Sequence, residues 1–376
     1  MRRETVSKSN YLGERAIVVG GGLGGLSATR ALSDRFRQVV ILDRDELPDS
    51  ATPRPGVPQG KHPHALLGGG LKALEQLFPG FGNELGRAGA VPINRGFDML
   101  YEIPGQDAWP RIKFGWPTYA MSRPLIELTL RRQVERLTNV KVQGRCRVLN
   151  IIGESDTGVA TGICYQTPDG NVETLQSDLI IDASGNGSLT LEFLKASGRR
   201  LPEETSIGVN MRYASALFDH ADIKDNYKIA FTLPDAPEES RGGLILPGQG
   251  MSVAAKEASL LFDLLGRFSC DVLSRLAHDF LTKAENLIAD PWAMSALPDF
   301  IYPETTGVRP KNLEERLNFQ KGLGRLAARD AAVFELLMDV RNLLKPLNVL
   351  DDPSIVGRIE NEVASELALS SAAQVA

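Results

Sequence analysis

Cysteine is scarce in this chain. Its three cysteines, Cys146, Cys164 and Cys270, are scattered and form no CxxC pair, which excludes a disulfide framework and points to a reducing compartment. Each reads most simply as a small buried apolar residue. Histidine is nearly as rare: His62, His64, His220 and His278 make no HExxH motif. His62 and His64 would share one face of a strand, but no third ligand accompanies them, so no metal site is expected. Positive charge is not in excess either. A formal net charge of −5 argues against a nucleic-acid partner. No stretch reaches the roughly 18 consecutive apolar residues that a membrane span needs. The opening MRRETVSKSNYLGER is basic without an apolar centre, so it reads as a polar lead-in rather than a signal peptide. A cytoplasmic protein is expected. Neither GxSxG nor a Cys–His signature occurs, and no catalytic side chain is assigned.

What is present is an ordinary globular composition, 43% hydrophobic and 24% charged over 376 residues. That length admits two or three domains, or one large α/β domain with a second lobe. Arg15–Gly20 reads as a buried strand, Gly24 to Asp34 as a helix and Gln38–Asp43 as a second apolar strand, a βαβ opening. Asp49–Gly60 is dense in Pro and Gly and reads as a loop. A helix is predicted over Gly70–Phe78, a weak strand over Arg95–Ile103, and an amphipathic helix over Arg123–Leu137 with Pro124 in its first turn. Val140–Ile152, Gly162–Gln166 and Val172–Gln176 then read as three strands, the last two joined by an Asp169–Gly170 turn. Ser177–Asp182 is another buried strand, and Ser206–Phe218 a longer one. Beyond Ser252 the spacing is helical, over Val253–Gly266, Cys270–Leu287, Leu313–Leu344 and Ser354–Leu367, with Pro291, Pro298, Pro303 and Pro310 punctuating the connections.

The strongest motif is GGGLGGLSATRAL, Gly20–Leu32, between the first strand and the first helix. Gly20 permits a tight turn, Gly22 leaves room for a pyrophosphate and Gly25 lets helix and strand pack closely, with Leu23 and Gly24 opening the helix. The helix N-terminus offers unpaired N–H groups and positive dipole to phosphates. Asp43 closes the second strand, where a carboxylate can accept hydrogen bonds from ribose hydroxyls. This is a dinucleotide-binding arrangement, but by itself it does not choose between FAD and NAD(P). Arg44 follows Asp43 and is placed to reach a 2′-phosphate, although a solvated charge is the commoner role for such a residue.

The wider chain resembles the FAD-dependent monooxygenases of the aromatic-hydroxylase type, including polyprenyl-methoxyphenol-hydroxylase-like members. The likeness is carried by RPGVPQGKHPHALL (Arg54–Leu67), MSRPLIELTLRRQV (Met121–Val134), DLIIDASGNGS (Asp178–Ser188), GQGMSVAAKEASLL (Gly248–Leu261) and DPWAMSALPDFIYPETTGVRP (Asp290–Pro310), in that order. It implies an α/β fold: an FAD-binding Rossmann-like domain of the glutathione-reductase type with a β-meander, a substrate-side sheet and a helical C-terminal region. It also implies cofactor contacts from Arg54 in the basic loop, Arg123 of the SRP segment, Asp182 and Gly185 of the second fingerprint, and Gly248, Gln249, Gly250 and Met251 beside the flavin ring. The expected division is 1–200 for FAD binding, 201–247 for the substrate-side sheet and 248–376 for the flavin-ring loop and helices.

One part of the pattern is absent. The family places a strand leading into Gly–Asp–Ala before GQGM, whereas here RGGLIL (Arg241–Leu246) joins directly to Pro247, and no Gly–Asp pair occurs between Ser206 and Gly250. An internal segment is therefore expected to be missing, leaving a reduced substrate-side sheet. The resemblance implies FAD as cofactor, NAD(P)H as reductant, and O₂-dependent hydroxylation or epoxidation of an apolar, aromatic or isoprenoid small molecule. A flavin-dependent reductase or dehydrogenase, a non-catalytic remnant that has lost the Gly–Asp motif, and a plain NADP reductase are the alternatives. The C-terminal helices, with Leu317, Leu326, Val333, Phe334, Leu337 and Leu344 at helical spacing, are expected to pack on the core or on a dimer mate.

Overall fold

The computed structural model describes residues 11–154, 157–185, 187–212, 214, 227–242, 249–267 and 273–375. The first strand, β1 (Gly13–Val19), leads through the glycine turn into α1 (Leu23–Ser33) and back to β2 (Phe36–Leu42). A short turn of 3-10 helix at Pro58–Lys61 and β3 (Pro63–Leu66) precede α2 (Gly68–Leu77) and α3 (Phe81–Arg87). Next come β4 (Val91–Ile93), β5 (Met99–Glu102), β6 (Thr118–Ser122) and α4 (Arg123–Glu135). The chain continues through β7 (Val140–Gln143), β8 (Arg147–Gly153), β9 (Ala160–Gln166), β10 (Val172–Gln176) and β11 (Leu179–Asp182). The remainder is α5 (Leu189–Ala196), β12 (Ile229–Thr232), α6 (Gln249–Leu265), α7 (Leu273–Asp299), α8 (Leu313–Arg329), α9 (Ala331–Arg341) and α10 (Pro353–Val375).

The fold is α/β. Its central sheet is four parallel strands in the order β11-β1-β2-β7. The apolar runs of β1 and β2 explain why they lie inside it, because successive residues point to opposite faces and both faces are covered. Ala16, Val18, Val39 and Ile41 pack with α1, α2, α4 and α6. Ile17, Val19, Val40 and Leu42 pack on the other side with Cys146, which precedes β8, and with Ile163 and Tyr165 of the antiparallel β10-β9-β8 meander. Helix α6 lies against α1 and α2, contributing Ala255, Ala258, Leu261, Leu264 and Leu265 to the first core.

A second core forms around α8, α9 and α10, where Leu326, Phe334, Leu337, Met338 and Ile359 meet Trp109 and Phe114. The C-terminal helices thus pack on their own chain. Among the described residues no helix is long and apolar enough to cross a membrane.

Several boundaries differ from those the sequence predicts. Val140–Ile152 is two strands: β7 joins the parallel sheet, and the chain turns at Gly144 and Arg145 (φ 55°) before β8 opens the meander. Helix α7 runs through Pro291 and Pro298. A proline costs an interior helix a hydrogen bond, but Leu276 is held in the first core and Met294 against the second, so packing at both ends keeps the helix continuous. From 206 to 212 the predicted strand is reduced to a single bridge, Gly208 to Thr306, and its remainder lies largely outside the described residues. Within 227–242 the one strand is β12, paired in parallel with β5.

The helix predicted over Leu313–Leu344 is divided at Asp330. Its extended backbone ends α8, and its Oδ1 accepts hydrogen bonds from the Ala332 and Val333 amides at the start of α9, at 2.8 and 3.2 Å. Its Oδ2 accepts one from Arg358 of α10 at 2.6 Å. Arg358 foremost, then these amides, hold the Asp330 carboxyl below its ordinary range. A depressed folded-state pKa stabilises above the ordinary carboxylate range and is lost as pH falls through the folded value. Asp330→Ala is therefore expected to cost about 1 kcal/mol at neutral pH, with the gap between variant and parent closing in acid. Urea melts across that range test it, and a gap that persists in acid would contradict it.

Candidate functional site

The glycine turn between β1 and α1 has the shape its sequence requires. Gly20 has φ +100°, and a Cβ there would come within 2.5 Å of the Ala183 carbonyl oxygen. At Gly25 a Cβ would collide with the Gly20 carbonyl oxygen. The two fingerprint loops therefore touch at Gly20 and Ala183, which only the smallest residue allows. Gly22 is the N-cap of α1. It carries no side-chain cap, and no acidic residue occupies the first turn. That leaves backbone N–H groups and the helix dipole facing outward, an anion-ready end. Leu23 is 2% exposed and serves the core, so only its backbone is available to a ligand. Gly24 lies against Ala254 of α6, at 3.7 Å for a built Cβ.

Asp43 sits directly beneath this turn, 4% exposed. Its Oδ2 accepts a hydrogen bond from the Gly21 amide at 2.6 Å, and its Oδ1 accepts from the Asp45 amide at 2.8 Å and from Arg54 Nη1 at 3.1 Å. Arg54 continues the network. Its Nη1 also donates to Asp45 Oδ2 at 2.7 Å, and its Nε donates to Glu127 Oε1 at 2.6 Å. Asp45 Oδ2 further accepts the Gly56 amide at 2.7 Å, fixing the Pro/Gly-rich loop. Burial works against the Arg54 charge, but Glu127, Asp43 and Asp45 outweigh it, and the Arg54 pKa stands above its usual value.

Arg123, at the start of α4, is the second cation here. Its Nη2 lies 3.7 Å from Glu127 Oε2. Its Nη1 is buried and has no hydrogen-bond partner. Burial lowers the Arg123 pKa, Glu127 opposes this, and the neighbouring Arg54 charge adds to it. A buried donor without an acceptor costs free energy that a ligand can recover. Together with the open cradle at Gly22, this donor set suits a phosphorylated, ribose-bearing group.

The other predicted residues are distributed unevenly. Arg44 is exposed beside Asp43. Asp182 ends β11 next to the turn, yet both its oxygens serve its own loop: Oδ1 accepts from the Ser184 hydroxyl at 2.6 Å and Oδ2 from the Thr190 hydroxyl at 2.7 Å. Gly185 takes φ +76° within that loop. Gly248 lies outside the described residues. Gln249, Gly250 and Met251 form the first turn of α6 rather than a loop, and the Gly24–Ala254 contact brings the start of that helix to α1. Sequence reasoning missed Asp45 and Glu127. Glu127 was detectable as the i+4 partner of Arg123 on a predicted helix.

No protein-family model matches this chain. It is 32% identical over 215 residues to "Protein Rv3254" of Mycobacterium tuberculosis, a match covering 54% of this chain and 45% of that protein. The chain thus spans less than half the length of that curated relative. Among solved structures, it is similar to the myxobacterial chondrochloren halogenase CndH, described as a variant of FAD-dependent halogenases. That match has 23% identity and a TM-score of 0.36, and covers 46% of this chain and 38% of that one. A flavoprotein/dehydrogenase from Cytophaga hutchinsonii matches at 19% identity and a TM-score of 0.37, covering 51% and 44%. A mutant of 2-methyl-3-hydroxypyridine-5-carboxylic acid oxygenase matches at 21% and 0.36, covering 52% and 44%.

The two arginines should respond differently to substitution. Arg54→Met leaves Asp43, Asp45 and Glu127 buried without their cation and is expected to destabilise by about 3–5 kcal/mol. Arg123→Met removes a cation whose partner remains bonded to Arg54, and its effect should stay within about 1 kcal/mol. Urea midpoints of the two variants decide the matter, and equal losses would refute the assignment of Arg54 as the central tie.

Proposed function

We propose that this chain is an FAD-dependent oxidoreductase that uses NAD(P)H and O₂ to hydroxylate or epoxidise an aromatic or isoprenoid small molecule. The observation that carries this reading is the buried, unpartnered Arg123 Nη1 beside a glycine turn whose helix end is uncapped. The β8–β10 meander, inserted between strands of the parallel sheet, favours a flavin over a plain nicotinamide site. Residues Gly20, Gly22, Gly24, Gly25 and the Leu23 amide would take the pyrophosphate. Asp43 has a carboxylate lone pair still unused for a ribose hydroxyl. Arg54 would hold Asp43 in place, and Arg123 would meet the cofactor's negative charge. Asp182, Gly185 and the segment Gly248–Met251 would line the same cofactor, with exposed Arg44 at its rim. The proposed division is residues 1–200 for cofactor binding, 201–247 for a reduced substrate-side sheet and 248–376 for the flavin-ring segment and the C-terminal helices.

Bound FAD would supply hydride acceptance and oxygen activation. The chain's own contribution is to bind, orient and shield, and no side-chain nucleophile is required of it. A second reading is favoured by Asp182, whose carboxylate is already satisfied by Ser184 and Thr190: a chain that keeps the turn but holds the cofactor weakly or not at all.

A visible absorption spectrum of the purified chain, taken before and after adding FAD, separates the two. Flavin absorption retained through desalting at about one FAD per chain is expected. Arg123→Met should then weaken FAD at least tenfold, about 1.4 kcal/mol, without altering the melting behaviour. A cooperatively folded chain that stays colourless in excess FAD supports the second reading instead.

A further inference from the structure

The start of β1 carries a polar cleft, at the opposite end of that strand from the glycine turn. About 16 Å of extended chain separates Arg15 from Gly20. The cleft has a volume of about 480 Å³ and opens where the parallel sheet meets the meander, with Arg15, Ser177 and Asp178 in its wall. That volume lies in the range of small-molecule sites.

Two opposite charges line the cleft without meeting. Arg15 is half-buried and has no ion pair among the described residues. Its Nε donates to Gln38 Oε1 at 2.8 Å and its Nη1 to the Gln176 carbonyl at 2.9 Å, both neutral acceptors. Asp178 likewise has no cationic partner among the described residues. Its Oδ2 accepts the amides of Glu14 and Arg15 at 2.7 and 2.9 Å. Gly13 makes room for this carboxylate, since a Cβ there would come within 2.8 Å of Asp178 Oδ2. The Asp178 amide in turn donates to the Arg15 carbonyl at 2.9 Å. Backbone pairing thus brings a guanidinium and a carboxylate to one cleft, while neutral partners hold them apart. The other two charges of the wall cancel, because Arg37 Nε binds Glu14 Oε1 at 2.8 Å. Ser177 Oγ is buried there and has no hydrogen-bond partner.

An anion in this cleft would gain from Arg15 and be opposed by Asp178, and a cation would meet the reverse. A molecule that carries both charges satisfies both. A guanidinium with a spare Nη2 takes a carboxylate, and a carboxylate oxygen with an unused lone pair accepts from an ammonium group. We propose that this cleft binds a small zwitterion of the α-amino-acid class. Arg15 takes the carboxylate, Asp178 Oδ1 takes the ammonium group, and Ser177 Oγ meets a side-chain hydroxyl. The site stands apart from the flavin reading, because it lies at the other end of β1 and needs no cofactor.

Isothermal titration of the purified chain with L-serine tests it. Saturable binding at one site is expected. 3-Hydroxypropionate, which lacks the ammonium group, and ethanolamine, which lacks the carboxylate, should each bind at least tenfold more weakly. Arg15→Met and Asp178→Asn should each weaken L-serine at least tenfold. Asp178→Asn keeps an oxygen for the Glu14 and Arg15 amides, so it carries the test if Arg15→Met does not fold. Absence of L-serine binding, 3-hydroxypropionate or ethanolamine binding as tightly as L-serine, or a folded Asp178→Asn that binds L-serine like the parent would each overturn the proposal. A chain that binds FAD but not L-serine sinks this inference alone, and one that binds L-serine but not FAD sinks only the flavin reading.

Discussion

The Arg54 guanidinium is the contact on which the nucleotide end of this fold depends. Buried beneath the glycine turn, it joins the end of β2 through Asp43, the following loop through Asp45, and α4 through Glu127. Those three carboxylates would otherwise face one another in a site with little water to screen them. Their compensation by one planar cation holds Asp43 where it accepts the Gly21 amide, so the turn's geometry rests indirectly on an ion pair formed across the site. The same arrangement leaves Arg123 underused. Glu127 gives its short contact to Arg54 and only a 3.7 Å approach to Arg123. Arg54 spends its Nε and Nη1 on three carboxylates, and Arg123 keeps a buried donor in reserve.

Much of the central sheet was legible because its strands are buried on both faces. RAIVVG and QVVILD are continuous apolar runs, and the structure packs alternate residues of each into two different cores. The glycine motif was legible because steric limits at Gly20 and Gly25 are local. What failed was wherever a distant contact overrode a local pattern. The break at Asp330 leaves no mark in the apolar spacing, since Leu326, Val333 and Leu337 all remain core residues on either side of it. Pro291 and Pro298 read as stops, yet α7 continues because both its ends are anchored. The pairing of Glu127 with Arg54 was missed for the same reason, because 73 positions separate them, whereas Asp45 lies nine positions from Arg54 across an irregular loop that no helix or strand period describes.

The strand expected to bring an acid to the cofactor shows how a short sheet can be self-contained. Among the described residues strand β11 is the edge of the parallel sheet, and all four of its residues are half-buried. An open edge of this kind is a pairing hazard unless it is short or its polar groups are occupied. Here the strand is brief, and Asp182 closes the loop after it by accepting from Ser184 and Thr190. Those bonds fasten the start of α5, whose Phe193 reaches the meander at Gly153. The acid that ends the strand is spent on the strand's own connection.

The nucleotide layer and the second core are not mechanically independent. Residues Asn342 and Leu343, immediately after Arg341, are pinned to the nucleotide layer from two sides. The Asn342 carbonyl accepts the Gly69 amide of α2 at 2.8 Å, and the Leu343 carbonyl accepts Lys256 Nζ of α6 at 3.1 Å. Leu343 adopts φ +58°, a left-handed conformation that a branched side chain takes only when its surroundings impose it. Helix α6 in turn meets α1 two residues past the glycine turn's N-cap, at Gly24. A shift of α6 against α1 would therefore be carried through Lys256 and the left-handed Leu343 backbone to Arg341 and the Trp109 ring on which it lies. The end of α9 is thus tied to the same helix that borders the glycine turn, so the packing of the second core and the placement of α1 share one support.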